Sequence, residues 1–174
     1  MNINTINNIL GITESYVAPQ KMMELLLDEN QRDELFMKFS NEEADLSYEW
    51  FQTYFEDEHA DRKNKKQDFT PSSISKLGVS LLGPSEEYFE AAAGTGGMMI
   101  QYWNKYPDSF YILEELSDRS VPFLLFNMAI RNMKGILKHG DSLENNFKAV
   151  YKLKNGERFS LIEVISNDEP EKVD

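Results

Sequence analysis

The residues with the most chemical content are Glu90, Gly94, Thr95, Gly96 and Gly97, in the run Tyr88-Phe89-Glu90-Ala91-Ala92-Ala93-Gly94-Thr95-Gly96-Gly97-Met98. A short apolar stretch breaks into glycines and then resumes as a helix. A strand-to-helix turn of this kind brings bare backbone and helix N–H groups close to a ligand, which makes it the candidate cofactor site. The glycines alone do not say which ligand, because nucleotide-binding turns and merely tight turns look alike. Two more acids, Glu115 and Asp141, end the β-rich runs Phe110-Tyr111-Ile112-Leu113-Glu114-Glu115 and Ile136-Leu137-Lys138-His139-Gly140-Asp141. Three carboxylates at strand ends repel one another unless something with donors sits among them. His59 and His139 are each isolated and there is no cysteine, so no catalytic residue and no metal ligand set is expected.

To hold these groups together, strands and helices must alternate. Thr70 suits an N-cap and Pro71 a first helical position, after which Ile74, Leu77 and Leu81 fall on one face and Gly83-Pro84 stops the helix. A strand ending at Glu90 follows, then the glycine turn, then a helix carrying Met98, Ile100 and Trp103. The strand ending at Glu115 leads into a helix marked by Val121, Leu124, Leu125 and Met128, and the strand ending at Asp141 comes next. Such alternation predicts parallel strands with right-handed crossovers, and ligands on such sheets lie at the carboxyl ends of the strands. Glu90, Glu115 and Asp141 would share that edge. Finally, two β-rich runs, from Phe147 to Leu153 and from Phe159 to Ile165, flank Asn155-Gly156 and predict an antiparallel hairpin.

The N-terminal third reads as helical. Met22, Leu25 and Leu26 share a face behind Pro19, a second helix carries Leu35, Phe36 and Phe39, and a third is marked by Leu46, Trp50, Phe51, Tyr54 and Phe55. Core packing accounts for this aromatic stripe; a surface facing a partner or DNA is the alternative. Arg62-Lys63-Asn64-Lys65-Lys66 is the dense basic run, read as a solvated linker or a phosphate contact, and the domain boundary is placed there: 1–66 helical, 67–174 α/β, with a disordered tail from Ser166.

A length of 174 residues with 41% apolar residues suits one domain of ordinary size with a helical extension. The net charge of −12 argues against unaided binding to nucleic acid, which draws on clustered Lys and Arg. No stretch of the sequence approaches transmembrane length, and the N-terminus lacks a basic region followed by an apolar one. A cytoplasmic protein with no membrane partner is the expectation.

Thr70-Pro71 before a helix, Gly94-Thr95-Gly96-Gly97 after the first strand, Glu115 ending the second and Gly140-Asp141 ending the third occur in one order. That order resembles the N6-adenine DNA methyltransferases, most closely the modification subunit of type I restriction-modification systems, over Phe69 to Leu143. The resemblance implies an α/β fold: a partial Rossmann-like sheet of the S-adenosylmethionine-dependent methyltransferases, with the N-terminal helical segment and C-terminal hairpin added. It also implies S-adenosylmethionine as cofactor. Phe69, Thr70 and Pro71 are similar to the family's Phe-or-Tyr-Thr-Pro segment, which holds the cofactor's carboxylate end. Glu90 to Gly97, including Ala92, is similar to the family's Asp-Pro-Ala-Cys-Gly-Ser-Gly-Gly turn around the methionine portion; Glu90 and Ala91 replace Asp and Pro, and the longer acid alters the contact to the cofactor's amino group. Glu115 matches the acid that takes the ribose hydroxyls, and Asp141, in Gly140-Asp141-Ser142-Leu143, the acid that accepts from the adenine amino group.

The family's next strand ends in Asn or Asp, Pro, Pro, then Tyr or Phe, which do the chemistry. Acceptors on the adenine amine localise its lone pair for attack on the sulfonium methyl, and the ring stacks on the flipped base. No such tetrapeptide occurs in this sequence; Asn167-Asp168-Glu169-Pro170 has one proline and no aromatic. Two readings follow. One is a diverged or truncated adenine-specific DNA methyltransferase that binds the cofactor but is inactive as an isolated chain, reaching DNA only with a partner chain. The other is a non-catalytic binding or regulatory protein that contacts a partner such as a restriction-modification complex. A shortened sheet also exposes an edge strand, and the hairpin or a second copy of the chain is expected to cover it.

Overall fold

The computed structural model describes residues 1–58 and 69–165. The basic run at 62–66, the boundary placed there, His59 and the tail from Ser166 lie outside the described residues. The chain opens with a helix that the sequence reading leaves unassigned. α1 (Ile3–Leu10) starts where the Asn2 side chain accepts from the Thr5 N–H, and it buries Ile6 and Leu10. After a 3₁₀ turn at Ser15–Val17, α2 (Ala18–Leu27) carries Pro19 in its first turn and buries Met22, Leu25 and Leu26. α3 (Glu29–Glu42), capped by Asp28, buries Leu35, Phe36 and Phe39.

The third predicted helix is shorter than its aromatic spacing implies. α4 covers only Gln52–Glu58, and residues 43–51 before it form turns. Short polar side chains there take up the backbone: Glu43 accepts from the Asp45 N–H and Asp45 from the Ser47 N–H, while the Trp50 indole donates to the Asp45 carbonyl. Such local bonds compete with helical ones.

Among the described residues one mixed sheet has the strand order β1-β2-β3-β4-β5. β1 (Glu87–Ala91), β2 (Phe110–Glu115) and β3 (Lys134–Asp141) are parallel, in register Glu90↔Leu113 and Leu113↔Leu137. β4 (Asn146–Lys154) and β5 (Leu161–Ile165) extend it antiparallel. The mixed α/β sheet with N-terminal helices and an appended hairpin is the predicted architecture. The hairpin lies on the β3 side. It covers the β3 edge and leaves β1 as an edge strand among the described residues. Asp141 explains the placement: the chain turns directly from β3 into β4 across residues 142–145, and a connection that short allows only an antiparallel neighbour.

α5 (Ser72–Leu82) and α6 (Gly97–Trp103) precede and follow β1, and α7 (Val121–Ile130) lies between β2 and β3. Every residue of α7 is buried. Phe126 is its centre, with Phe39 at 4.8 Å, Phe51 at 5.1 Å and Phe36 at 5.2 Å between ring centroids. The N-terminal aromatic stripe is therefore core, and the alternative of a partner- or DNA-facing surface falls: Trp50, Phe51, Tyr54 and Phe55 are all at most 2% exposed.

One expectation for α5 is corrected, and the shared face of its apolar residues is observed. The helix begins at Ser72, not at Pro71. Pro71 occupies the N-cap position with its carbonyl accepting from the Ile74 and Ser75 N–H groups, and Thr70 stands one residue further out. Ile74, Leu77 and Leu81 do share a face, but it points to solvent, while Ser75 and Val79 are buried. We therefore expect Leu81→Lys to change stability by no more than ~0.5 kcal/mol, and Val79→Lys to cost several-fold more by burying an unpaired charge. Urea denaturation of both variants reads the difference. A large loss from Leu81→Lys would contradict this orientation.

Candidate functional site

The carboxyl ends of β1 and β2, the N-terminal ends of α5 and α6 and the turn before α4 enclose a cavity of about 750 Å³. That volume is in the range of small-molecule sites. Its lip is the glycine turn. Ala92 (φ 56°), Gly94 (φ 59°) and Gly96 (φ 96°) all adopt left-handed backbone within five residues. The φ of Gly96 favours glycine, and a Cβ there would also stand 2.7 Å from Met99 Cε and 2.9 Å from Leu124 Cδ1, so those side-chain ends would have to move. Ala92 holds this conformation without glycine's freedom, at a cost of order 1 kcal/mol.

The turn is fixed from both sides. The Gly94 N–H donates to Glu115 Oε2 at 2.7 Å, and the Ser117 N–H donates to Glu115 Oε1 at 2.8 Å. Two backbone amides thus hold the Glu115 carboxylate in one orientation at the cavity wall. From below, buried Asn127 donates to the Thr95 carbonyl and to Glu49 Oε1, both at 2.8 Å. Arg131 completes this underside: its guanidinium donates to the Asn127 carbonyl and Oδ1, the Leu46 carbonyl and the Tyr48 carbonyl. It also lies 5.9 Å from the Trp50 ring centre and 5.8 Å from that of Trp103. Burial lowers Arg131 to about 10, with Glu49 and Asp45 opposing, so it stays charged at neutral pH.

Of the residues singled out from sequence, Phe69, Thr70, Glu90, Ala92, Gly94, Thr95, Gly97 and Glu115 line the cavity. Pro71 and Gly96 are not in the lining; they are the N-cap residues of α5 and α6, whose N-terminal ends border it. Asp141 and Ser142 are not in the lining. Asp141 Oδ1 accepts from the Leu143 and Glu144 N–H groups and so organises the β3–β4 turn. His139 is buried on β3 near Asp118, is not among the lining residues, and burial lowers its pKa. Sequence reasoning missed Tyr48, Glu49, Gln52, Leu116 and Ser117. A signal for Glu49 existed: it is a carboxylate placed beside Trp50 and Phe51, within an apolar stripe.

Glu90 and Glu49 are both pushed up to about 7, chiefly by burial. The Tyr88 hydroxyl, which donates to Glu90 Oε2 at 2.8 Å, and the Met99 N–H oppose the shift at Glu90, while Glu115 adds to it. At Glu49 the opposing groups are Asn127, the Phe51 N–H, Arg131 and the Gln52 N–H. Between the unfolded value of 4.5 and about 7, the folded chain holds protons that the unfolded chain has released. These two groups therefore make stability fall as pH rises through that window, by at most about 1.4 kcal/mol per pH unit for each. Unfolding from pH 5 to 8 should show this decline, and Glu90→Gln should flatten it.

Among the described residues the walls hold three carboxylates, of Glu49, Glu90 and Glu115, and no Lys, Arg or His. Glycine turn, pinned strand-end acid and parallel sheet accord with the family comparison, in which the model for N-6 DNA methylases matches residues 43–167. That stretch starts before the segment first recognised and takes in the turn carrying Glu49. No curated protein and no solved structure matches. With well over half of its length matched, and with the sheet and glycine turn in the predicted order, the chain belongs to the N-6 DNA methylase family.

Proposed function

We propose that the chain binds S-adenosylmethionine in this cavity, as the cofactor-binding part of an N6-adenine DNA methylation system in the cytoplasm. The observation that carries the reading is the acidic cavity beside a glycine turn, with no cation among its described lining residues. A phosphate-bearing nucleotide would meet uncompensated repulsion there, whereas a cationic ligand with a ribose finds acceptors. The residues present fit the cofactor: Thr95 Oγ1 and Glu49 Oε2 are buried without a hydrogen-bond partner, and the cavity volume suffices. Glu115 is suited to accept from the ribose hydroxyls, with exposed Leu116 as an apolar face beside it. Phe69, Thr70 and the start of α5 are suited to the carboxylate end, where backbone N–H groups and the helix dipole favour an anion. Bound there, S-adenosylmethionine would supply an activated sulfonium methyl group.

The 174 residues contain no Asn/Asp-Pro-Pro-Tyr/Phe sequence to receive and polarise an adenine amine. The proposal is therefore binding without methyl transfer by these residues alone, with DNA contacted only together with a partner chain. Calorimetric titration with S-adenosylmethionine and S-adenosylhomocysteine tests the first half; absence of heat and of any thermal shift at millimolar ligand defeats it. Incorporation of labelled methyl groups into adenine-containing DNA by the chain alone defeats the second.

The other reading, a non-catalytic protein acting through a partner such as a restriction-modification complex, draws on one surface. Ile74, Leu77, Leu81 and Leu82 of α5 are all more than half exposed, and so is Phe89 on the edge strand β1. Apolar exposure of this kind marks association surfaces. A chain that binds no cofactor yet co-purifies with a methylation subunit would favour it.

A further inference from the structure

Of the three carboxylates in the cavity, two are already engaged. Glu115 receives the Gly94 and Ser117 amides, and Glu90 Oε2 receives the Tyr88 hydroxyl. Glu49 differs. Its Oε1 accepts from Asn127, but its Oε2 is shut from solvent and accepts from nothing. The amides of Phe51 and Gln52 lie close enough to favour its charged form, yet neither makes a hydrogen bond to Oε2. Arg131 does not close the gap either, because its donors go to Asn127 and to the carbonyls of Leu46 and Tyr48. A buried acceptor left without a donor is costly, and more so when charged. A second orphan faces the same space: Thr95 lines the cavity, is 1% exposed, and its Oγ1 also lacks a partner.

We infer that Glu49, not Glu90, is the acid that receives the ammonium of an amino-acid-type ligand end in this cavity, with the Thr95 hydroxyl as a neutral co-acceptor. The inference rests on the proposed S-adenosylmethionine site and assigns one group within it. An ammonium offers three donors and a positive charge, which is what an unpartnered carboxylate oxygen and a free hydroxyl lack. Glu49 is well braced for this role. Asn127 holds its other oxygen and also holds the Thr95 carbonyl, so a single buried amide sets the spacing between the two ligand-facing groups. The consequence is that the turn before α4 is part of the binding site, and that the site is complete only when the N-terminal segment is docked on α6 and α7. That docking is visible in the Gln101 and Asn104 side chains, both donating to the Ser47 carbonyl.

The test compares two ligands that share the thioether adenosine but differ in the amino-acid end: S-adenosylhomocysteine and 5′-methylthioadenosine. Calorimetry on the full chain should show that Glu49→Gln weakens the first by about 10- to 100-fold, as expected for loss of a charge-assisted bond, and leaves the second nearly unchanged. Glu90→Gln should not produce this selective loss. If Glu49→Gln weakens both ligands equally, Glu49 only braces the glycine turn through Asn127 and the inference is overturned. It is equally overturned if the selective loss appears in Glu90→Gln instead. Should Glu49→Gln fail to fold, Glu49→Asp, which keeps the charge but withdraws it by one methylene, must show the same selective loss. Wild-type protein that binds neither ligand removes the cofactor reading itself, whereas wild-type binding of both with unselective variants removes only this assignment.

Discussion

Glu115→Ala is expected to weaken S-adenosylmethionine binding by roughly 100-fold, the loss of two charge-assisted hydrogen bonds at about 1.5 kcal/mol or more each. The size of the effect follows from how the carboxylate is held. Each oxygen already accepts one backbone amide, from Gly94 and from Ser117, so in the proposed binding mode no reorientation would be required to meet ribose hydroxyls. Preorganisation of this kind removes a cost that a mobile side chain would pay on binding. Alanine also leaves the Gly94 N–H without its acceptor, which loosens the turn that lines the cavity. Glu115→Gln separates the two contributions: it retains one acceptor oxygen and places a donor amide where the other stood, so an intermediate loss is expected. Titration calorimetry of both variants, alongside far-ultraviolet circular dichroism to show that the fold persists, measures the outcome. Unchanged affinity in Glu115→Ala would remove this acid from the site.

The largest stability effect is expected from Phe126→Ala, at about 3–5 kcal/mol. Phe126 is fully buried, and four aromatic side chains from two other parts of the chain surround it: Phe36 and Phe39 from α3, Trp50 and Phe51 from the turn before α4. Removal of the ring leaves a space between layers that elements on both sides cannot close together. A fall in melting temperature of roughly 10 °C or more follows for a chain of this size. A lowered urea midpoint with unchanged slope would show that stability alone has changed. The effect should reach the cavity, because Asn127, the next residue on α7, carries the bonds to Thr95 and Glu49. Cofactor affinity should fall in Phe126→Ala even though its ring does not line the cavity. A loss below about 1 kcal/mol would mean that the aromatic cluster is not the joint between the helical layer and the sheet.

The family and the parallel part of the sheet were legible because their signals are local. A run such as Phe110 to Glu115 declares a strand within six residues, and the glycines at 94, 96 and 97 declare a turn whose φ values few other residues adopt. Alternation of such units then fixes parallel order and puts Glu90 and Glu115 on one edge. The faces of α5 were not legible in the same way. Its apolar spacing identifies a stripe, but periodicity says only which residues point together, not whether the core lies on that side. Val79 and Ser75 are buried because α6 packs there, a fact held in the tertiary arrangement.

The sequence by itself determined the strand-turn-helix units, the glycine turn, the acids that end the strands and hence the family. Tertiary structure alone decided three things. The hairpin joined the β3 edge, since the short turn at Asp141 commits the chain before any distant edge can compete. The N-terminal aromatics became core, since α7 is apolar on every side and needs a second layer to cover it. Glu49 entered the cavity, since Asn127 and Arg131, some 80 residues later, supply the donors that hold its turn in place. Each of these outcomes depends on which surfaces meet, and residue spacing along the chain does not encode that.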